Sequence, residues 1–175
     1  MGPFAIFFAV HVLINTASLG LWGEGMWVED ILAPPPPPPG EDGTVFELIN
    51  QERIDVGLRP LTYNSKVSVF AWKYANRMID EDFYGHVDLQ GMELAERIEE
   101  AGITYSIAGE IIAENSSAYG AVKAWMESPG HQEQILTSDY TSMGIGIGQF
   151  HPLRKYYVVV FYRPYESPLE KLIGY

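Results

Sequence analysis

The sequence predicts an α+β fold, a three-layer α-β-α sandwich around a small central, mainly antiparallel sheet. Three observations support this prediction: apolar residues recur at helical spacing over residues 65–80, glycine alternates with apolar residues over 143–148, and residues 156–162 are apolar or aromatic on both faces. A strand that is apolar on both faces needs a covering layer on each side. Amphipathic helices supply such layers. With 175 residues, of which 47% are hydrophobic, the chain is long enough for one domain with its own core.

The first part of the chain predicts a secretory signal peptide or a membrane anchor, which we assign to residues 1–32. The run from residue 4 to 21 is almost wholly apolar and ends in small residues, although the first basic residue of the chain is Arg53. A membrane-spanning helix needs about 20 apolar residues, so the run is only just long enough. The alternative is a buried or interfacial helix. Residues 33–43 contain six consecutive prolines and predict a stiff polyproline II linker.

The domain itself is expected over residues 44–165, beginning with four helices. Thr44 and Glu47 have the spacing of a capping box and predict a helix that starts there and runs to about Asp55. The second helix covers residues 65–80. A third is expected over 92–101, followed by Gly102 as its left-handed cap, and a fourth begins near residue 116 or 117 and stops at Pro129.

Three strands complete the prediction. In residues 143–148 the glycines leave one face of the strand without side chains, so another element should pack closely against it. Residues 156–162 predict a central strand, and a third strand lies within 103–113. Residues 166–175 form a C-terminal tail.

Composition excludes several classes of function. The formal net charge is −12, and no cluster of basic residues offers a surface for phosphate backbones, so we expect no nucleic-acid partner. The chain has no cysteine, which excludes disulfides, thiolate metal sites and thiol nucleophiles. No serine lies in a nucleophile-elbow sequence, and no pair of carboxylates has a spacing recognisable for glycoside hydrolysis.

A series of short motifs carries a family resemblance. The series runs through Leu48, Asn50, Glu52 and Arg53; Gly57, Leu58, Pro60 and Leu61; Phe83, Tyr84, Gly85 and His86; Arg97, Ala101 and Gly102; Ala108, Gly109, Glu110, Ile111, Ile112 and Ala113; and Trp125, Met126, Glu127, Ser128, Pro129, Gly130 and His131. In this order the motifs resemble the CAP superfamily (cysteine-rich secretory, antigen 5 and pathogenesis-related proteins; SCP domain) in its prokaryotic, cysteine-free branch, over residues 44–163. The resemblance implies an α-β-α sandwich with a cleft in which histidines and glutamates from separate segments meet.

The resemblance assigns three residues to that cleft. His86 matches the first cleft histidine, Glu110 the glutamate of the Gly-Glu-Asn motif, and His131 the histidine of the prokaryotic Ser-Pro-Gly-His motif. Each follows a glycine at which we expect the chain to turn, because glycine lets backbones approach closely.

Two further cleft positions depart from the family pattern. Tyr156 stands where eukaryotic members carry their second cleft histidine, and Ile111 stands where the family usually has asparagine. Glu127 is the candidate for the second cleft glutamate, although it lies one position from the matching place.

The residue types in this cleft allow two kinds of chemistry. His86 and His131 are candidate ligands for a divalent cation such as zinc, which would acidify a bound water, with Glu110 as the candidate catalytic residue. Alternatively, Glu110 hydrogen-bonds the two histidines and fixes the surrounding loops without a metal.

Two functions remain in competition. The first is an extracellular or cell-surface binding or structural module without catalysis, for a small apolar ligand or a cell-surface component, with the N-terminal segment as a candidate membrane tether. The resemblance implies links to sterol or lipid binding. The second is a metal-dependent, peptidase-like hydrolase that uses the same cleft.

Overall fold

The fold is seen in a computed structural model that describes residues 40–165. The elements in chain order are α1 (Glu41–Asp55), β1 (Thr62–Tyr63), α2 (Ser65–Asp80), α3 (Leu94–Glu100), β2 (Tyr105–Asn115), α4 (Ala118–Glu127), α5 (Pro129–Leu136), β3 (Ser142–His151) and β4 (Arg154–Pro164). The predicted signal or anchor segment, the six prolines and the C-terminal tail lie outside the described residues. Of the helices within residues 40–165, none combines the length and the apolar character needed to cross a bilayer.

The four strands form one mixed sheet in the order β1-β3-β4-β2. β1 pairs in parallel with β3, and the other two pairings are antiparallel. β4 is central and is buried continuously from Tyr157 to Tyr162, because helices cover both of its faces. The predicted α+β class and the mainly antiparallel sheet are therefore confirmed.

Alternate residues of β4 separate two hydrophobic cores. Tyr157, Val159 and Phe161 belong to a core shared with α1, α4 and α5, which we call the first layer. Val158 and Val160 belong to a core shared with α2 and α3, the second layer. The alternation follows from the two-residue period of a strand, and it confirms the three-layer arrangement.

The glycines of β3 let α2 lie directly on the sheet. A β-carbon added at Gly146 would be 1.9 Å from the backbone nitrogen of Trp72, and one added at Gly144 would be 2.4 Å from the carbonyl carbon of Val67. Both contacts are with helix backbone, which cannot move aside without separating the layers. The close approach expected from the glycine alternation is thus confirmed.

The predicted start of the first helix is wrong. α1 begins at Glu41, inside the segment assigned to the linker, and no side chain caps it. The hydroxyl of Thr44 instead donates to the carbonyl of Gly40 at 3.2 Å. Glu41 accepts hydrogen bonds from the backbone of Ala118 and from the hydroxyl of Tyr157, so tertiary contacts order the first turn.

Two elements were absent from the prediction. Pro129 does not only end a helix, because it is the first residue of α5 after a break at Ser128. Proline suits this position, where the missing N–H would have no helical partner. β1 is the second addition; with two residues it is too short to have a hydrophobic pattern.

Candidate functional site

The candidate site is built around Glu110, a carboxylate in the middle of a buried strand. The predicted chain turn before Glu110 is wrong, because Glu110 pairs in register with Val160 within β2. Its side chain is 2% exposed. β2 is at one end of the sheet order, so Glu110 occupies an edge strand. An ionised carboxylate in such a place needs a partner of opposite charge.

Arg97 of α3 is that partner. Its Nη2 is 2.9 and 3.1 Å from the two oxygens of Glu110, and its Nη1 is 3.2 Å from Oε2. The Arg97 side chain is 4% exposed, and the guanidinium lies 3.5 Å from the centre of the Tyr74 ring. Both charges are therefore buried as a neutral, doubly hydrogen-bonded pair, the strong geometry for arginine and a carboxylate.

His86 is held against the same carboxylate. Its Nδ1 is 2.9 Å from Oε1 of Glu110. A carboxylate paired with arginine only accepts hydrogen bonds, so the proton of the neutral imidazole is on Nδ1 and Nε2 is left as an acceptor. The His86 side chain is 52% exposed, in contrast to Glu110. The arrangement thus presents an oriented imidazole to solvent.

The loop that carries His86 is fixed by hydrogen bonds from both helices of the second layer. The hydroxyl of Tyr74 in α2 donates to the carbonyl of Gly85 at 2.8 Å. Burial raises the pKa of Tyr74 to about 12, which keeps this donor protonated. Nη2 of Arg97 donates to the carbonyl of His86 at 3.0 Å. Arg97 therefore positions His86 as well as Glu110.

Asp88 closes the same loop. Its Oδ1 accepts from the backbone N–H groups of Gln90 at 2.9 Å and Met92 at 2.8 Å, and its Oδ2 accepts from Nη1 of Arg77 at 2.7 Å. Asp88 is buried. These hydrogen bonds order the segment between α2 and α3, which contains His86.

His131 approaches from the first layer. It lies in the first turn of α5, three residues before Gln134, on the same side of that helix. The Gln134 side chain lies against Gly109, the residue that precedes Glu110. Burial and then the charge of His86 lower the pKa of His131. The structure thus brings His86 and Glu110 into direct contact, while His131 belongs to a helix that packs against the neighbouring Gly109.

A hollow of about 370 Å³ opens beside this cluster, lined by His86, Val87, Glu93, Leu94 and Glu110. Its walls combine apolar side chains with an imidazole and carboxylates. Its volume is at the lower end of the range of small-molecule sites, about 300–1,000 Å³.

The other two predicted cleft residues lie elsewhere. The Glu127 side chain is 69% exposed, 3.8 Å from Lys123, in a groove between α1 and α4. One helix position turns a side chain by about 100°, which is why a displaced match reaches another surface. Tyr156 is four residues along β4 from Val160, and its ring contacts those of Tyr84 and Phe150. Neither residue lines the hollow beside Glu110.

Gly109 has a role different from the expected turn. A β-carbon there would be 2.1 Å from Oε1 of Gln134 and 2.2 Å from the hydroxyl of Tyr140. Those two side chains are hydrogen-bonded to each other at 2.7 Å. Gly109 therefore makes room for α5 on one face of the strand, while Glu110 faces the other layer.

The donor set described here does not fit a zinc centre. Within residues 40–165, no group of three or more histidine, aspartate or glutamate side chains is arranged to hold a metal ion. The oxygens of Glu110 are already bonded to Arg97 and His86. Two imidazoles remain, whereas zinc sites use at least three protein ligands.

Arg97 is the functional residue that the sequence analysis named in a motif but did not place in the site. The available signal was its position in α3, three residues after Leu94 and next to Ile98, on the side of the helix that faces the core. A charge at a core position indicates a buried partner, and Glu110 within an apolar strand is the matching case.

The sequence is similar to a known protein family and to two curated proteins. The model of the cysteine-rich secretory protein family, CAP, matches residues 46–162. The uncharacterised membrane protein YlbC of Bacillus subtilis is 32% identical over 118 residues, which are 67% of this chain and 33% of that protein. The protein YkwD of the same organism is 35% identical over 103 residues, 58% of this chain and 40% of that protein. The chain thus spans well under half of either relative.

Solved structures show the same architecture. An extracellular protein containing a SCP domain from Bacillus anthracis has a TM-score of 0.64 and 26% identity, over 69% of this chain and 39% of that one. An outer surface protein of Borrelia burgdorferi has a TM-score of 0.65 and 22% identity, over 70% of this chain and 91% of that one. The second likeness concerns the fold alone.

Proposed function

Because this chain belongs to the cysteine-rich secretory protein family, we propose that it is a binding module outside the cytoplasm whose ligand occupies the hollow beside His86. The observation that carries the proposal is the exposed imidazole of His86, oriented by a buried carboxylate that Arg97 neutralises. A group held in one orientation before the ligand arrives loses little freedom on binding.

The chemistry of the hollow indicates the kind of ligand. Val87 and Leu94 offer apolar contact, and Nε2 of His86 offers a hydrogen-bond acceptor beside them. The exposed fraction of Val87, 48%, leaves apolar surface open to contact. A small, mainly apolar molecule with one polar group matches these walls.

Titration of the full chain with phenyl acetate, a small apolar ester, tests the binding role. We expect saturable shifts of the amide resonances of Val87 and Leu94, lost in Leu94→Asp and kept in Tyr119→Asp, a matched change in the groove between α1 and α4. Absence of saturable shifts at Val87 and Leu94 in the wild-type protein would contradict the proposal.

Hydrolysis is the second candidate function, favoured by the Glu110–His86 contact itself. A histidine whose Nδ1–H is held by a carboxylate is the usual arrangement of a general base. The same phenyl acetate solutions distinguish the two functions: a binding module releases phenol at the rate of buffer alone. Turnover that disappears in Glu110→Gln would establish the hydrolase instead.

The sequence predicts a divalent cation between His86 and His131, and zinc titration tests this prediction against the alternative without a metal. Glu110 would support such a cation by orienting His86, as carboxylates commonly do for metal-bound histidines. With only two imidazoles as ligands, we expect zinc to leave the melting temperature of the wild-type protein unchanged. A rise that the His86→Ala, His131→Ala double variant lacks would establish the metal.

Location outside the cytoplasm rests on two supports. The first is the apolar N-terminal run followed by prolines, which predicts export. The second is the similar solved protein from Bacillus anthracis, which is an extracellular protein. The hydrophobic segment and the proline spacer would then place the domain at the cell surface.

A further inference from the structure

A second buried arginine, Arg53 of α1, borders a hollow that is separate from the one beside His86. Its side chain joins three backbone carbonyls: Nη1 donates to Ile135 at 2.6 Å and Thr137 at 2.8 Å, and Nε donates to Arg59 at 3.0 Å. Arg53 is 1% exposed. These bonds tie the end of α1 to the end of α5. They leave Nη2 without a hydrogen bond to any residue in the range 40–165.

The charge of Arg53 is not neutralised by an acid of the described chain. No carboxylate within residues 40–165 forms an ion pair with Arg53. Burial lowers the pKa of Arg53, and no nearby acid opposes that shift. The carbonyls at the end of α5 compensate the cation only in part, as helix C-termini do. A buried cation without a carboxylate favours an anion beside it.

The hollow next to Arg53 has the composition of an anion site. It has a volume of about 550 Å³, and its eight lining residues include Arg53 and Arg59 but no acid. The hydroxyls of Ser138 and Thr141 add donors. The acids nearest in sequence to the lining residues have other contacts: Glu52 lines the groove between α1 and α4, Asp55 accepts a hydrogen bond from Gln51, and Asp139 is 3.7 Å from Arg163. Two guanidinium groups with hydroxyls are the groups that bind oxyanions most strongly in proteins.

We propose that this hollow binds a small organic molecule with a terminal oxyanion, a carboxylate or a phosphate monoester. The oxyanion contacts Arg59, Nη2 of Arg53 and the Ser138 hydroxyl, while the body of the molecule lies on Leu58, Pro60 and the Tyr140 ring. Aryl or short alkyl bodies fit the volume, which is far larger than a bare phosphate needs. The site is independent of the His86 hollow, because the two share no lining residue.

Three probes of equal ring size test the site on the full chain. We titrate phenyl phosphate, benzoate and neutral phenol, and follow the amide resonances of Leu58, Ser138 and Thr141. Phenyl phosphate and benzoate should bind saturably, and phenol should bind at least tenfold more weakly. The ratio of the two anions shows which oxyanion the site prefers.

A substitution of Arg59, which is exposed at the rim of this hollow, tests the site without removing the hydrogen bonds of Arg53. Arg59→Gln should weaken both anions at least fivefold and leave phenol unchanged. Lys123→Gln removes the same charge from the groove between α1 and α4, so it serves as the matched control and should have no effect. Equal binding of phenol and the anions, or unchanged affinity in Arg59→Gln, would overturn the proposal.

Discussion

Each helical layer buries one arginine, and the two are used differently. Arg53 in the first layer bonds to three backbone carbonyls at the ends of α1 and α5. Arg97 in the second layer bonds to the carboxylate of Glu110 and to the carbonyl of His86. Both are almost fully buried. The first holds chain ends together, and the second holds a titratable cluster that reaches solvent through His86.

The difference teaches how to distinguish an arginine whose protein partners are neutral carbonyls from one that neutralises a buried carboxylate. A structural arginine has neutral partners, so its removal leaves unpaired carbonyls. A supporting arginine has a charged partner, so its removal leaves an unpaired charge, and neutralising the partner should compensate. The two cases make opposite predictions for rescue.

The largest effect is expected from Arg97→Met. It leaves Glu110 as a buried carboxylate without a cation and should lower the free energy of unfolding by about 3–5 kcal/mol. Adding Glu110→Gln in the same chain should recover at least half of that loss, because the amide carries no charge. Urea unfolding followed by circular dichroism measures both. A double variant no more stable than Arg97→Met would contradict the paired role.

Arg53→Met should cost slightly less, about 3 kcal/mol, because three buried carbonyls lose a charged donor. No acid of the described chain pairs with Arg53, so no neutralising second substitution should rescue it. Arg59→Met, at an exposed position, is the control and should change stability by less than about 0.5 kcal/mol. The same urea series checks this, and a loss for Arg53→Met as small as that of the control would mean that α1 and α5 are joined by other contacts.

Gly109→Ala should lower stability by about 1–3 kcal/mol, since its β-carbon overlaps the paired ends of Gln134 and Tyr140. Thermal melts of the variant alone and with Tyr140→Phe give the test, and removal of the hydroxyl should reduce the loss. Gly130→Ala, which has nothing within 4 Å of the added carbon, is the control. A loss unaffected by Tyr140→Phe would place the cause elsewhere.

Local rules predicted the elements whose patterns are repeated within a few residues. α2 has the predicted bounds, because its apolar positions recur at helical spacing. The glycines of β3 and the two-sided β4 also follow from alternation alone. The start of α1 did not, because Glu41 is ordered by Ala118 and Tyr157, partners more than seventy positions away in the chain.

The candidate site also depends on contacts between distant residues, which local sequence patterns do not predict. His86, Glu110 and His131 were named through family motifs, which contain information on tertiary structure that one sequence lacks. The contact of His86 with Glu110 depends on Arg97, which joins α3 to β2. Sequence spacing does not encode such a contact, although a charge on the buried side of a helix does indicate that one exists. Glu127 was misplaced because a shift of one helix position changes the surface it reaches.

The pKa of His131 tests most directly whether the two helical layers share one cleft. Burial and the charge of His86 lower that pKa below its ordinary value of 6.5. The unfolded chain therefore binds the proton more readily, so the contribution of His131 to stability is full above pH 6.5 and is lost as the pH falls through that value to the lowered pKa.

Titration of the histidine ring protons by NMR, in the wild-type protein and in His86→Gln, is the decisive measurement. We expect the pKa of His131 to lie below 6.5, to rise in His86→Gln, and to stay below 6.5 there because burial persists. An unchanged His131 pKa in His86→Gln would show that the two imidazoles belong to separate surfaces, which contradicts the shared cleft.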